Sequence, residues 1–249
     1  LADGDTQQVD QLLNQMESQT TLASQVTAEA NHQRCQIAAH EIRYRQALTL
    51  CQRAVQLAPD RTDYTANSAD LAHALGEHEK AIELYEQALT IDLETHGEGH
   101  PNVAINRNNL GAAWDALGDY KKAIAYYEQA LTSDLKIHGE DHPDVAIDRN
   151  NLGMAWYALD EYHKAIGYLE KALASDLKTY GADNLQVASY RNNLGSAWYA
   201  LGEYQKANDY LEQALAGFQK FLGKNHPNTA GVRANYQQLL KVIQEQENE

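Results

Sequence analysis

The segment Arg107-Asn-Asn-Leu-Gly-Ala-Ala-Trp114 returns as Arg149-Asn-Asn-Leu-Gly-Met-Ala-Trp156 and as Arg191-Asn-Asn-Leu-Gly-Ser-Ala-Trp198, at a step of 42 residues. A fixed period of this length means one supersecondary unit copied along an array. A weaker copy, Arg233-Ala-Asn-Tyr-Gln, follows near the end of the chain. The flanks keep the same register. Ala81, Ala123, Ala165 and Ala207 are one series, and Gly97, Gly139, Gly181 and Gly223 are another. Pro101, Pro143 and Pro227 form a third, with Leu185 standing in once.

Each unit divides into two helices. Pro101 suits a first helical turn, where its missing N–H costs nothing. The spacing predicts helix A from Pro101 to Leu117, a break at Gly118, and Asp119 as the cap of helix B. Ala123, Ile124, Tyr127, Ala130, Leu131 and Leu135 fall at helical spacing, so helix B runs from Tyr120 to Ile137, and Gly139 ends it. Gly111 and Ala123 sit where the paired helices approach closely, with Trp114 and Tyr120 filling the volume around them. One such hairpin cannot bury its apolar face alone, so neighbours must stack.

The motifs resemble the tetratricopeptide repeat (TPR), whose signature reads W-x2-L-G-x2-Y, then A-x3-F, then P. Here Leu110, Gly111, Trp114, Ala123 and Tyr127 fill it. So do Leu152, Gly153, Trp156, Ala165 and Leu169, and then Leu194, Gly195, Trp198, Ala207 and Leu211. Arg replaces the leading Trp. Ala47, Cys51, Ala54 and Pro59 look like helix B of one more repeat, 34 residues before Ala81 and its neighbours. The 42-residue step, the Asn-Asn-Leu core and the Gly-x-x-His-Pro connections at 97–101, 139–143 and 223–227 resemble the kinesin light chain type. Gly181-Ala-Asp-Asn-Leu185 departs from that pattern. The resemblance implies an all-α fold, a right-handed TPR solenoid of antiparallel helix pairs. It divides the chain into an N-terminal cap or linker (1–30), a degenerate repeat (31–61), repeats at 62–103, 104–145, 146–187 and 188–229, and a capping helix (230–249). Within 1–30, Val9, Leu12, Leu13 and Met16 suggest a short amphipathic helix, with Leu22 and Val26 starting another.

The resemblance also implies an adaptor that takes a protein or extended peptide on a concave face lined by the A helices. Asn67, Asn109, Asn151, Asn193 and Asn235 form a ladder with a step of 42. An Asn amide offers two donors and an acceptor, which suits a peptide backbone, though hydrogen bonding between repeats is a rival use. Asn108, Asn150 and Asn192 lie one residue earlier, close to the same face. Tyr157 and Tyr199 follow as aromatic contacts, since Tyr is favoured at interfaces. The Arg ladder suggests either an anion clamp or salt bridges to Asp92, Asp134 and Asp176, fifteen residues earlier. Phe218 stands in the acid's place for Arg233, which makes Arg233 the candidate free cation.

Other classes of function find little support. The formal net charge is −15, which opposes nucleic acid and anionic membranes and suits neutral or basic partners. The pairs His96/His100 and His138/His142 each straddle a Gly and end at Pro, so they read as capped turns and not as metal sites. No catalytic motif or cofactor site is recognisable, so the expectation is a non-enzymatic module without cofactors. Self-association as a scaffold, or service as a regulatory segment of a larger protein, are the alternatives. Cys35 and Cys51 read as small buried apolar residues, with a disulfide as the alternative if residues 28–58 form a hairpin. The chain opens at Leu1, which suggests a piece of a longer protein. The lack of a recognisable signal leans towards the cytoplasm.

Overall fold

The computed structural model describes the backbone of residues 3–247 and the side chains of residues 19–246. Among these residues the chain is all-α, with no strand: eleven helices follow one another through short connections. They fall into two compact units, Leu1–Gly97 and Glu98–Glu249.

The first unit holds α1 (Asp3–His40), α2 (Tyr44–Leu57), α3 (Thr62–Ala74) and α4 (His78–His96). Residues 1–30 were expected to carry a short helix and the start of another. Instead α1 runs unbroken as a single helix of 38 residues. The side chains of Val9, Leu12, Leu13 and Met16 lie outside the described residues. Cys35 and Cys51 are joined by a disulfide that ties α1 to α2. The expectation of two independent apolar thiols is therefore corrected. Both residues sit on the facing sides of the α1/α2 hairpin, beside Ala38, Ala47 and Ala54, and are buried. Their facing follows from a pairing of helices that spacing alone left open. The unit's other anchor is Tyr64, which stacks on His32 at 4.4 Å and donates to the Glu29 carboxylate at 2.7 Å.

The second unit holds α5 (Pro101–Ala116), α6 (Tyr120–His138), α7 (Pro143–Ala158), α8 (Tyr162–Tyr180), α9 (Leu185–Ala200), α10 (Tyr204–Leu222) and α11 (Pro227–Glu247). Its helix ends follow from the repeated punctuation. His100, His142 and His226 each accept the amide of the residue two positions on through Nδ1, at 3.2, 3.3 and 3.2 Å. That satisfies one of the amides left open at a helix start. The divergent third connection keeps the same device, because Asn184 Oδ1 accepts from the Gln186 amide at 2.6 Å. Between helices A and B the chain takes positive φ at Gly118 and Gly202, and Asp160 holds the same conformation at φ 61°. Asp is among the few non-Gly residues that tolerate it.

Helices A and B of each hairpin meet across a seam of small residues. Ala123, Ala165 and Ala207 are wholly buried. A Cβ on Gly111 would lie 2.5 Å from the Tyr127 ring, and one on Gly153 or Gly195 would lie 2.7 or 2.6 Å from Leu169 or Leu211. Trp114 and Trp156 are half-buried at the edge of this core. Lys122, Lys164 and Lys206 cover the three Trp rings at 3.6, 4.1 and 4.2 Å. No helix among the described residues is long and apolar enough to cross a membrane.

Two outcomes test this packing. Gly153→Ala gains roughly 1 kcal/mol of helix propensity but overpacks a seam where such changes cost about 1–3 kcal/mol, so a lower melting temperature is expected. Gly167→Ala, on the exposed side of α8 with nothing near the new methyl group, is expected to stabilise by roughly 0.5–1 kcal/mol. In the first unit the disulfide closes a separation of 16 residues. Cys35→Ser/Cys51→Ser is expected to cost that unit about 3 kcal/mol, read by denaturant unfolding against the oxidised protein.

Candidate functional site

Within the second unit α5 approaches α7, α7 approaches α9 and α9 approaches α11, whereas α6, α8 and α10 are not drawn together in this way. The A helices therefore crowd onto the inner side of this unit, and residues repeating every 42 positions along them lie side by side. Asn108, Asn109, Asn150, Asn151, Asn192 and Asn193 are all half-buried on that side.

These amides bond mainly to one another. Asn151 Nδ2 donates to Asn108 Oδ1 at 3.2 Å, and Asn193 Nδ2 donates to Asn150 Oδ1 at 2.8 Å. Within each helix Asn150 donates to Asn151 and Asn192 to Asn193, both at 3.4 Å. At the α5 end Asn108 Nδ2 donates to Asp148. The result is one relay from Asn192 through Asn193, Asn150, Asn151 and Asn108 to Asp148. The next rung would join Asn235 to Asn192, and it is open. Asn192 Oδ1 is buried without a donor. Asn235 is exposed and, among the described residues, makes no side-chain hydrogen bond.

A pocket of about 250 Å³ lies at this open rung, lined by Tyr157, Ser196, Tyr199, Leu211, Asn235 and Gln238. Leu211 forms an apolar floor, being almost fully buried. Gln238 Nε2 donates to the Tyr199 hydroxyl at 3.4 Å. Tyr157 and Tyr199 rest against Tyr162 and Tyr204, with ring centroids 5.4 and 5.7 Å apart. The structure thus brings Tyr157, Tyr199 and Asn235 into one cavity, with Asn192 and Asn193 in the adjoining ladder. Asn67 belongs to the first unit, where its amide lies 3.4 Å from His32 Nε2. Sequence reasoning missed Gln238 and the floor residue Leu211. Gln238 lies three residues after Asn235 on the same helix face, a signal diluted because α11 is an eroded copy of the repeat.

Arg233 does not join this pocket. It lies two residues from Asn235, about 200° around the helix, and donates to the Lys224 carbonyl at 2.8 Å. The expected pairing of the Arg ladder with Asp134 and Asp176 is also corrected. Arg149 turns to the preceding loop, where it meets the Glu140 carboxylate at 2.9 Å and the Glu140 carbonyl at 3.1 Å. Arg107 likewise meets Glu98 at 2.6 Å and Ser133 at 3.0 Å. The acids instead face the residue one position before the Arg: Asp134 faces Asp148, and Asp176 faces Tyr190. One step along a helix rotates a side chain by about 100°, enough to exchange the facing helix for the loop. The loop acid is replaced by Ala182 before Arg191 and by Lys224 before Arg233. Among the described residues neither Arg is paired with a carboxylate.

His138, His142 and Asp144 each offer a ligand atom within 4.8 Å of the others. The two rings stack at 4.1 Å, and His142 Nδ1 is committed to capping α7 at the Asp144 amide.

A tetratricopeptide-repeat profile matches residues 61–136, 116–178 and 149–220. The chain belongs to the tetratricopeptide-repeat family. Among solved structures, BtubC (BKLC) from P. vanneervenii is 25% identical with a TM-score of 0.69, covering 84% of this chain and 93% of its own. A Podosopora anserina protein described as a kinesin light chain with nearly identical TPR-like repeats is 24% identical with a TM-score of 0.66, covering 77% and 95%. MamA from Desulfovibrio magneticus RS-1 shares the fold at 15% identity and a TM-score of 0.62, covering 78% and 97%. No curated protein matches the sequence. The TPR fold of this chain carries a role in protein–protein interaction or scaffolding.

The relay ends on a buried pair of carboxyl groups with a measurable consequence. Burial pushes Asp148 from 3.8 up to about 8, opposed by the Asn108 hydrogen bond and reinforced by Asp134 and Asp144. Burial raises Asp134 as well. Asp148 holds a proton in the folded state that the unfolded chain has released, and it donates that proton to Asp134. Stability therefore falls as pH rises from about 4 through about 8. Asp148→Asn is expected to flatten this slope and to raise the melting temperature above pH 8 by roughly 2–4 °C, the shift of about 1 kcal/mol in a chain of this size.

Proposed function

We propose that this chain is a non-catalytic interaction module that takes an extended peptide or protein segment on the A-helix side of its second unit, at the open rung between α9 and α11. The observation that carries this reading is the aromatic-walled pocket at the open rung, with the exposed Asn235 amide on its wall. Asn235 and Asn109 are open to pair with the ligand's backbone, while Tyr157 and Tyr199 supply rigid contact area. Net charge −15 favours neutral or basic partners and disfavours nucleic acid and anionic membranes.

A second reading, self-association as a scaffold, draws on Leu22, Val26 and Ile37 of α1, which are 61%, 62% and 56% exposed. As for compartment, a buried disulfide favours an oxidising one, which weighs against the cytoplasmic setting expected from the sequence.

The test is selection from a random peptide library on the oxidised protein, beside a Tyr199→Ala variant. Peptides selected by the unmodified protein are expected to bind the variant at least about tenfold more weakly, with helicity and melting unchanged. Equal binding to both proteins places the partner elsewhere. A mass that grows with concentration, without peptide selection, supports the scaffold.

A further inference from the structure

Asp115, Tyr157 and Tyr199 occupy equivalent positions on α5, α7 and α9, one repeat step apart. They line up across the inner side of the second unit, so a ligand that reaches the Tyr157/Tyr199 pocket and continues towards α5 meets Asp115. That carboxylate is half-buried. Among the described residues no cation or hydrogen-bond donor is paired with it. The nearby lysine of the same hairpin is committed elsewhere: Lys122 covers Trp114 and pairs with Asp119 at 3.3 Å. Desolvation without compensation raises the Asp115 carboxyl above its ordinary range. A partly desolvated carboxylate without a counter-charge gains when a cation is brought to it.

The other end of the track has the opposite character. The pocket at the open rung has an apolar floor at Leu211 and two phenol walls, and no charged group among its lining residues. It suits an apolar or aromatic side chain. Adjacent packed helices lie about 8–10 Å apart, so the two A-helix intervals from α5 to α9 span about 20 Å. An extended chain advances about 3.3 Å per residue, which makes this roughly six residues.

We propose that the groove selects peptides carrying a lysine or arginine roughly six residues from an apolar or aromatic side chain, with the cation on Asp115 and the apolar group in the pocket against Tyr199 of α9. This rests on the reading of the A-helix side as the binding face, and gives that face a ligand chemistry and a length.

The experiment measures the affinity of capped synthetic peptides holding one lysine and one tryptophan, separated by a serine spacer of increasing length. Each is paired with a peptide in which norleucine replaces lysine. The oxidised protein is compared with Asp115→Asn and Tyr199→Ala, each checked for helicity. The expected result is an optimum near the six-residue spacing and a preference for lysine over norleucine of about tenfold. That preference should fall with added salt and vanish in Asp115→Asn, while Tyr199→Ala weakens both peptides alike. Tyr199-dependent binding with no lysine preference, or a preference that survives in Asp115→Asn, overturns this inference and leaves the binding face standing. Binding to none of the peptides, or binding insensitive to Tyr199, overturns both.

Discussion

The contact on which the second unit depends is the bare approach of helix A to helix B at Gly111, Gly153 and Gly195. Each glycine leaves just enough room for Tyr127, Leu169 or Leu211 to press against the neighbouring backbone. The matching alanines of α6, α8 and α10 are fully buried, so the hairpins close on nearly identical seams. Identical seams give identical hairpins, and those stack with a constant step. Only then do amides 43 residues apart come within hydrogen-bonding reach. The Asn relay is thus a result of backbone packing several ångströms away, and Leu211 serves both roles, as seam residue and as pocket floor.

Much of this was legible because the repeat reports on itself. The Pro of each connection, the glycines with positive φ and the buried alanines have backbone reasons that survive without knowledge of the neighbours, and helices α5 and α6 end within a residue of where spacing put them. Where the sequence broke pattern the structure kept the function. Asn184 caps α9 as the histidines cap their helices, and Asp160 holds the turn that glycine holds elsewhere. Both substitutions preserve the needed physical property while changing the letter.

What the sequence hid is directional. Asp134 and Arg149 have opposite charges and a regular separation, but the direction of each side chain around its helix decides the partner, and Arg149 reaches a loop glutamate instead. The same blindness left the disulfide as the second reading of Cys35 and Cys51, since spacing does not tell which sides of α1 and α2 face one another. The pocket at the open rung was half visible. Tyr157, Tyr199 and Asn235 were readable by period, whereas Gln238 sits on a helix where the period has eroded, and the orphaned state of Asn192 emerges only when the two rungs before it are seen closed.

The Asn relay has a direction. Each closed Asn–Asn rung runs from the later helix to the earlier one, and at the last pair Asn192 Oδ1 has no donor although α11 carries Asn235. The open rung lies at the C-terminal end of the relay. An inserted copy of a complete repeat would carry an Asn pair to Asn192 at the 43-residue separation that closes the earlier rungs. The distance from the open rung to Asp115 would then change by one helix interval. Repeat number is in this sense a ruler for the separation between the two ends of the A-helix face.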